Sequence, residues 1–273
     1  MVGTYTGGSV NLVAMSDAFG ASGDMVSSSV VADNLLMALY FFVLIAIPTI
    51  EFFLKKFKHP YIDEVEARKA SGEGENQAAS YWKAKPVALI DIAEALAIAF
   101  AIVAISTAIA DFFAGLIPTS NFGLALLNGL LGNKYLIMPT LTMLLATIKP
   151  EFMGNIGGAQ EIGTFLIHIF FAVIGVPASI YLIMTQAPLL LVFCAIIVGM
   201  NMIFSFVFGK IFKFNLEEIC IASNANVGGP TTAAALAIAK GWQAMVVPAL
   251  LVGTLGYVIG NYYGIFVGTF LGR

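Results

Sequence analysis

The sequence predicts an all-α polytopic membrane protein with a duplicated helical repeat and two discontinuous helices. Three observations carry that reading. Hydrophobic residues make up 59% of the 273 and charged residues only 11%, with a mean hydropathy of +0.92, against roughly 45–50% and about 25% in a soluble domain. Twelve of the 29 charged side chains fall between Lys55 and Pro86, so the rest of the chain has too few to solvate a water-facing surface. Alternating apolar–polar patterning of the barrel type is absent, which leaves helices to satisfy the backbone in a bilayer. Together these exclude a soluble enzyme, a disordered chain and a nucleic-acid binder, and make the lipid bilayer the first partner.

A spanning helix needs about 20 mainly apolar residues. Val26–Leu54, Val87–Ile117, Ile162–Met184, Pro188–Phe212 and Met245–Leu271 meet that length. Tyr135–Ile148 is apolar but short. Val2–Gly20 and Ile219–Lys240 are apolar yet crowded with Gly, Asn, Ser and Thr, so the expected total is about eight crossings. Seven of the 13 basic residues lie in the polar segment 55–86, and the positive-inside rule places that loop in the cytoplasm. Lys149, Lys210, Lys213 and Arg273 then also fall inside, with Lys134 and Lys240 outside. The implied organisation is 1–54 (end of a first repeat), 55–86 (cytoplasmic linker), 87–134 (linking helix and outer loop) and 135–273 (second repeat, with a broken helix at 216–240).

The duplication appears at an offset of 221. Gly7-Gly8 aligns on Gly228-Gly229, and Ala14, Ala18, Gly20, Val26 and Val31 align on Ala235, Ala239, Gly241, Val247 and Val252, seven identities in 25 positions. Each copy has a Gly-Gly break beside Asn and hydroxyl residues, then a short apolar helix ending at Gly, then a full span. Paired glycines lower helix propensity, and Pro230 removes an amide donor. Unwound backbone at membrane depth survives where it lines a cavity or is buried in protein. Paired discontinuous helices in duplicated halves point to the midplane site of a secondary transporter, where half-helix N-termini hold anionic groups and freed carbonyls hold a cation. Small residues also serve ordinary helix contacts in membranes, but two matching breaks favour a site.

The solute-binding candidates are therefore Thr6, Gly7, Gly8 and Ser9 in the first break and Asn226, Gly228, Gly229, Thr231 and Thr232 in the second. Asp33 is an ionisable residue within a span, which calls for a cavity or a partner. With Asn11 and Asn34 it can form an oxygen-rich cation site, or it can carry a proton; the structural alternative is a hydrogen bond to Ser28 or Ser29. Asp91, Glu94 and Asp111 suit interfacial or packing roles, Glu217 and Glu218 suit the N-terminus of the second broken helix, and His168 suits a hydrogen bond within the bundle. Cys194 and Cys220 sit in apolar runs as packed thiols. Gly20-Ala21-Ser22-Gly23-Asp24 lacks both the spacing and the second carboxylate of an intramembrane aspartyl protease, so no enzyme is expected.

The strings Gly7–Asn11, Ala32–Tyr40 and above all Ala222-Ser223-Asn224-Ala225-Asn226-Val227-Gly228-Gly229-Pro230-Thr231-Thr232 resemble the membrane-protein family catalogued as domain of unknown function 819, along essentially the whole chain. That family is grouped with the bile-acid/sodium symporters and cation–proton antiporters. The pattern at Phe170–Gly175 and Ala187-Pro188 is similar to the symporters as well. The resemblance implies inverted five-helix repeats and two broken helices crossing in a core. It places a sodium site on Asn11, Asp33, Asn34 and Asn224, the last standing where the symporters have Glu, so a proton is an equal choice of coupling ion. It also implies about four helices before Met1. The span count gives six crossings after Lys55, whereas an inverted repeat needs an odd number.

The expected function is thus a permease of the bacterial inner membrane, elevator-type on the resemblance. It would be a homodimer moving a small solute, anionic solutes included, coupled to Na⁺ or H⁺ and needing no other cofactor. A channel or a non-transporting membrane scaffold is the alternative.

Overall fold

The computed structural model describes residues 1–70, 86–118, 120–159, 161–163, 165, 166, 169 and 188–271. The central part of the 55–86 linker, most of the span expected at Ile162–Met184, His168 and the Phe170–Gly175 pattern lie outside the described residues. Among those described, every regular element is helical. In chain order they are α1 (Thr4–Gly7), α2 (Val10–Ala18), α3 (Gly23–Ala46), α4 (Glu51–Lys56), α5 (Pro60–Ala70) and α6 (Leu89–Leu116). After them come α7 (Phe122–Leu131), α8 (Lys134–Ile148), α9 (Pro150–Gly154), α10 (Pro188–Ile211), α11 (Leu216–Lys240) and α12 (Val246–Phe270). Among the described residues, four stretches are long and apolar enough to cross a bilayer: Gly23–Thr49, Leu89–Leu116, Pro188–Ile211 and Gln243–Phe270.

Two boundaries differ from the sequence expectation. The span expected at Val26–Leu54 stops earlier. Pro48 has no amide to donate, a single 3₁₀ turn covers Ile47–Thr49, and the chain resumes as α4. The outer loop expected before Lys134 contains α7, whose first turn is capped by Asn121 accepting from the Leu124 amide at 2.9 Å. Other expectations hold. Asp91 accepts from the Ala88 amide at 2.8 Å and so caps α6, and Cys194 and Cys220 are buried free thiols.

The described chain divides into two compact units. The first comprises 1–13, 23–83 and 178–260, and its core gathers Tyr40, Leu44, Leu216, Cys220, Leu236, Trp242 and Ala249, all buried, with Phe57, Tyr61, Ile62 and Val65 packed against them. The second comprises 14–22, 84–177 and 261–273. There Ala14, Met15, Leu136 and Ile265 form a smaller core, and a cavity of about 600 Å³ is lined by Asp17, Asp111, Asn128, Asn133 and Lys134 among others. All the residues singled out for the two breaks belong to the first unit.

Candidate functional site: two glycine tips that meet

The sequence suggests helices interrupted on their way across the membrane; the structure bends the second one back on itself. Gly229 has φ 79° and ψ −170°, a conformation that a side chain forbids, and it divides α11 into arms at 216–228 and 230–240. A straight helix of 25 residues would be about 37 Å long. Yet α5 holds both ends of α11: Glu217 Oε1 accepts the Ile62 amide at 2.8 Å, and Arg68 Nη2 reaches the Gly241 carbonyl at 3.4 Å. Ile62 and Arg68 are separated by only about 9 Å of helix. The Lys240 ammonium also falls within electrostatic range of Cys220. The arms are therefore a hairpin with its tip at Gly228-Gly229-Pro230. This corrects the expected crossing geometry, and the cause is local: Gly229 supplies the reversal, and Pro230 starts the second arm without needing a donor.

The first break does the same from the other end of α12. Asn11 Nδ2 donates to the Gly3 carbonyl at 3.2 Å and reaches the Gly256 carbonyl at 3.4 Å, and a Cβ on Gly260 would meet both Asn11 Nδ2 and the Gly3 carbonyl. Gly7 lies lower, against the Gly256 peptide. The chain thus descends along α12 from Gly3 to Gly7, reverses at Gly8 (φ 114°, ψ 172°), and climbs again through Asn11 into α2. Gly8 and Gly229, which the 221-residue offset aligns, share one glycine-only region of backbone space.

The two tips touch. A Cβ on Gly8 would stand 3.1 Å from Gly229 Cα, and one on Gly229 would stand 2.9 Å from the Gly7 carbonyl oxygen. Three glycines of α12 make room for them: Gly253 faces Pro230, Gly256 faces Gly7, and Gly260 faces Gly3. Tyr257 lies across both tips, its ring about as close to Gly8 as to Gly229. Each hairpin's second arm begins at the meeting point, so two helix N-termini converge there with amides lacking intrahelical partners.

Asp33 stands beside this junction. It is fully buried, and its Oδ2 accepts from Ser9 Oγ, the residue after Gly8, rather than from Ser28 or Ser29. Its Oδ1 makes no hydrogen bond of good geometry, and the Tyr5 hydroxyl lies close enough to interact with the carboxylate. Among the described residues no Lys or Arg side chain forms an ion pair with it. Two turns along α3, Tyr40 and Ser223 share a hydrogen bond, and Ser223 Oγ donates to Asn201 Oδ1 at 2.7 Å, joining α3, α11 and α10.

The expected residues sort into two groups. Ser9 and Asp33 are joined directly, Gly7, Gly8 and Gly229 form the tips, and Thr231 is exposed at the start of the second arm, with Asn226 half-buried before the turn. The amide nitrogens of Asn11 and Asn224 hold the breaks in shape: Asn224 Nδ2 donates to the Thr232 carbonyl at 3.0 Å, which ties the two arms together. Thr6 Oγ1 and Thr232 Oγ1 return to the carbonyls of Val2 and Gly229 at 2.8 and 3.1 Å. Asn34 is half-buried on α3. Tyr5, Tyr40, Asn201, Ser223 and Tyr257 were not singled out by sequence. Asn201 left a signal, as a lone amide in an apolar run. Tyr40 left another, seven residues and so two helical turns from Asp33.

Glu217 differs from a simple dipole cap. It is fully buried, and it closes the base of the second hairpin by accepting from α5, whereas Glu218 caps the Asn215 amide at 2.8 Å. Glu217→Ala would strand the Ile62 amide. It is expected to destabilise the protein by about 2 kcal/mol and to raise amide exchange in α5 and the 216–228 arm before that in α12, as read by hydrogen-exchange mass spectrometry.

Fold and site together define a helical membrane protein built around two glycine-tipped hairpins. The chain belongs to the family described as protein of unknown function DUF819, whose model matches residues 1–273. It is similar to the uncharacterized membrane protein YjcL of Bacillus subtilis (strain 168), at 49% identity over 265 residues, 97% of this chain. The chain spans about 65% of the length of that relative. No solved structure matches it.

Proposed function

We propose that the chain forms the solute-binding core of a secondary active transporter, a permease coupling a small organic solute to Na⁺ or H⁺. The observation that carries this is the meeting of two unwound hairpin tips next to a buried carboxylate whose Oδ1 makes no hydrogen bond of good geometry. Glycines alone serve ordinary helix packing, but unwound peptide groups at membrane depth are costly unless they line a cavity or meet a ligand. Two convergent helix N-termini favour an anionic group on the solute. Thr231, Asn226 and the tip peptides of Gly7, Gly8 and Gly229 are the groups placed to contact it.

Asp33 takes the coupling ion. An ionised carboxylate without a partner is costly in a dry site, so it requires either a proton or a cation, with Ser9 and Tyr5 supplying further oxygens. Asn11 and Asn224 act by shaping the tips. The opposed arrangement of the hairpins suits an alternating-access device. A bacterial inner-membrane location, a homodimer and a cytoplasmic 55–86 loop belong to the same reading.

The test is the thermal midpoint of the purified chain in detergent, with NaCl exchanged for choline chloride at fixed ionic strength and again on mild acidification. A rise in midpoint with Na⁺ or with acid is the expected outcome. No response to either sinks the coupled-transporter reading.

A further inference from the structure

We propose that Lys56, Lys58, Lys210 and Lys213 form a cradle for the anionic headgroup of a phospholipid at the end of α10. The cluster is built by the fold, since its members come from segments more than 150 residues apart. Lys210 Nζ donates to the Lys56 carbonyl and lies 5.0 Å from the centre of the Phe57 ring, and the Leu216 amide donates to the Lys58 carbonyl at 2.8 Å. Phe53 and Phe57 pack on Phe206 beneath, which fixes the two segments side by side.

The four ammonium groups are exposed, and none forms an ion pair among the described residues. Local carboxylates are otherwise engaged: Glu51 pairs with Lys55 at 2.6 Å, Asp63 with His59, Glu217 accepts the Ile62 amide and Glu218 caps Asn215. None of the four ammonium groups therefore has a carboxylate partner among the described residues.

Lys213 is the most telling member. The Lys213 amide donates to the Lys210 carbonyl at 3.2 Å and the Phe214 amide to the Gly209 carbonyl at 2.9 Å, the double closure of a Schellman motif. Its left-handed position, normally glycine, is held here by Lys213 at φ 63°, the one non-glycine residue with positive φ among those described. A side chain there costs stability, and what it adds is a charge at the C-terminus of a membrane-length helix.

Depth selects a lipid. Exposed Phe52, Phe212 and Phe214 surround the lysines at the end of the apolar stretch Pro188–Ile211, an aromatic and basic rim that suits the headgroup layer. Each lysine near an anionic surface contributes the equivalent of about five-fold in binding.

The experiment uses the full chain reconstituted in phosphatidylcholine nanodiscs with and without phosphatidylglycerol. Phosphatidylglycerol is expected to raise the thermal midpoint, and added salt to erase the gain. Lys56→Gln, Lys210→Gln and Lys213→Gln should each weaken retention of phosphatidylglycerol about five-fold in native mass spectrometry, with Lys134→Gln as the unaffected control. Lys213→Gly separates binding from folding: it should raise the midpoint in pure phosphatidylcholine yet lose part of the phosphatidylglycerol increment. Equal midpoints in the two lipids, or an undiminished increment in the lysine variants, overturn the proposal. So does an equal increment from millimolar inorganic phosphate in phosphatidylcholine alone, which would make this an anion site and not a lipid site.

Discussion

Gly7→Ala is expected to break the junction of the two hairpins and to be the most damaging single-methyl change in the first unit. The added Cβ would lie within the Gly256 peptide and 2.6 Å from the Tyr257 amide nitrogen. Backbone atoms cannot rotate away as a flexible side chain can, so α12 and the tip must separate. The cost is about 3 kcal/mol or more, and the surface exposed is polar backbone with no water to meet it. Gly256→Ala should match it, because its Cβ would stand 2.6 Å from the Thr6 carbonyl oxygen and 2.8 Å from Gly7 Cα. Gly199→Ala is the control: nothing lies within 4 Å of a Cβ there, and a mid-helix alanine should stabilise by up to about 1 kcal/mol. Thermal midpoints of the three variants in one detergent decide the matter. If Gly7→Ala and Gly199→Ala behave alike, the tips do not meet.

Asp33→Asn is expected to abolish the response of stability to Na⁺ or to acid while raising stability in the ion-free state at neutral pH. The side chain keeps its shape and an oxygen for Ser9 to donate to, but it carries no charge that needs a partner. A cation bound only to the folded state stabilises it by about 2.7 kcal/mol at a hundred times its dissociation constant, so a wild-type curve rising with Na⁺ should flatten in the variant. The pair of measurements also assigns the ion. A wild-type response to acid without one to Na⁺ identifies proton coupling, and the reverse identifies sodium. A variant that responds like the wild type would place the ion elsewhere and remove Asp33 from the site.

Much of this was legible before any coordinates. The bilayer class follows from composition, and span positions follow from apolar length, because a membrane leaves few other solutions. The two Gly-Gly segments and Asp33 stand out for the same reason, each being costly unless used. What the sequence hid was direction. Gly228-Gly229-Pro230 breaks a helix equally well whether the chain then continues or turns back, and only the grip of α5 on Glu217 and Gly241 decides it. With both ends of α11 at α5, Lys240 and the Lys213 turn lie at the same end of the second hairpin. Asn11 and Asn224 read in the sequence as ligands because they stand beside a glycine break; the structure adds a role for their amide nitrogens. Their hydrogen bonds to the Gly3 and Thr232 carbonyls depend on a fold-back that no local pattern records.

The hairpins approach from opposite ends of α12, each arm spanning only part of the membrane's thickness. If aqueous clefts follow the arms inward, the electrical insulation at this point is no thicker than the two touching tips. Nearly the whole transmembrane voltage would then fall across the few ångströms around Gly8, Gly229 and Asp33. A cation there would cross most of the field by a very short displacement, at about 2.3 kcal/mol per 100 mV. A small local movement of the tips would thus be enough to make the proposed transport cycle electrogenic.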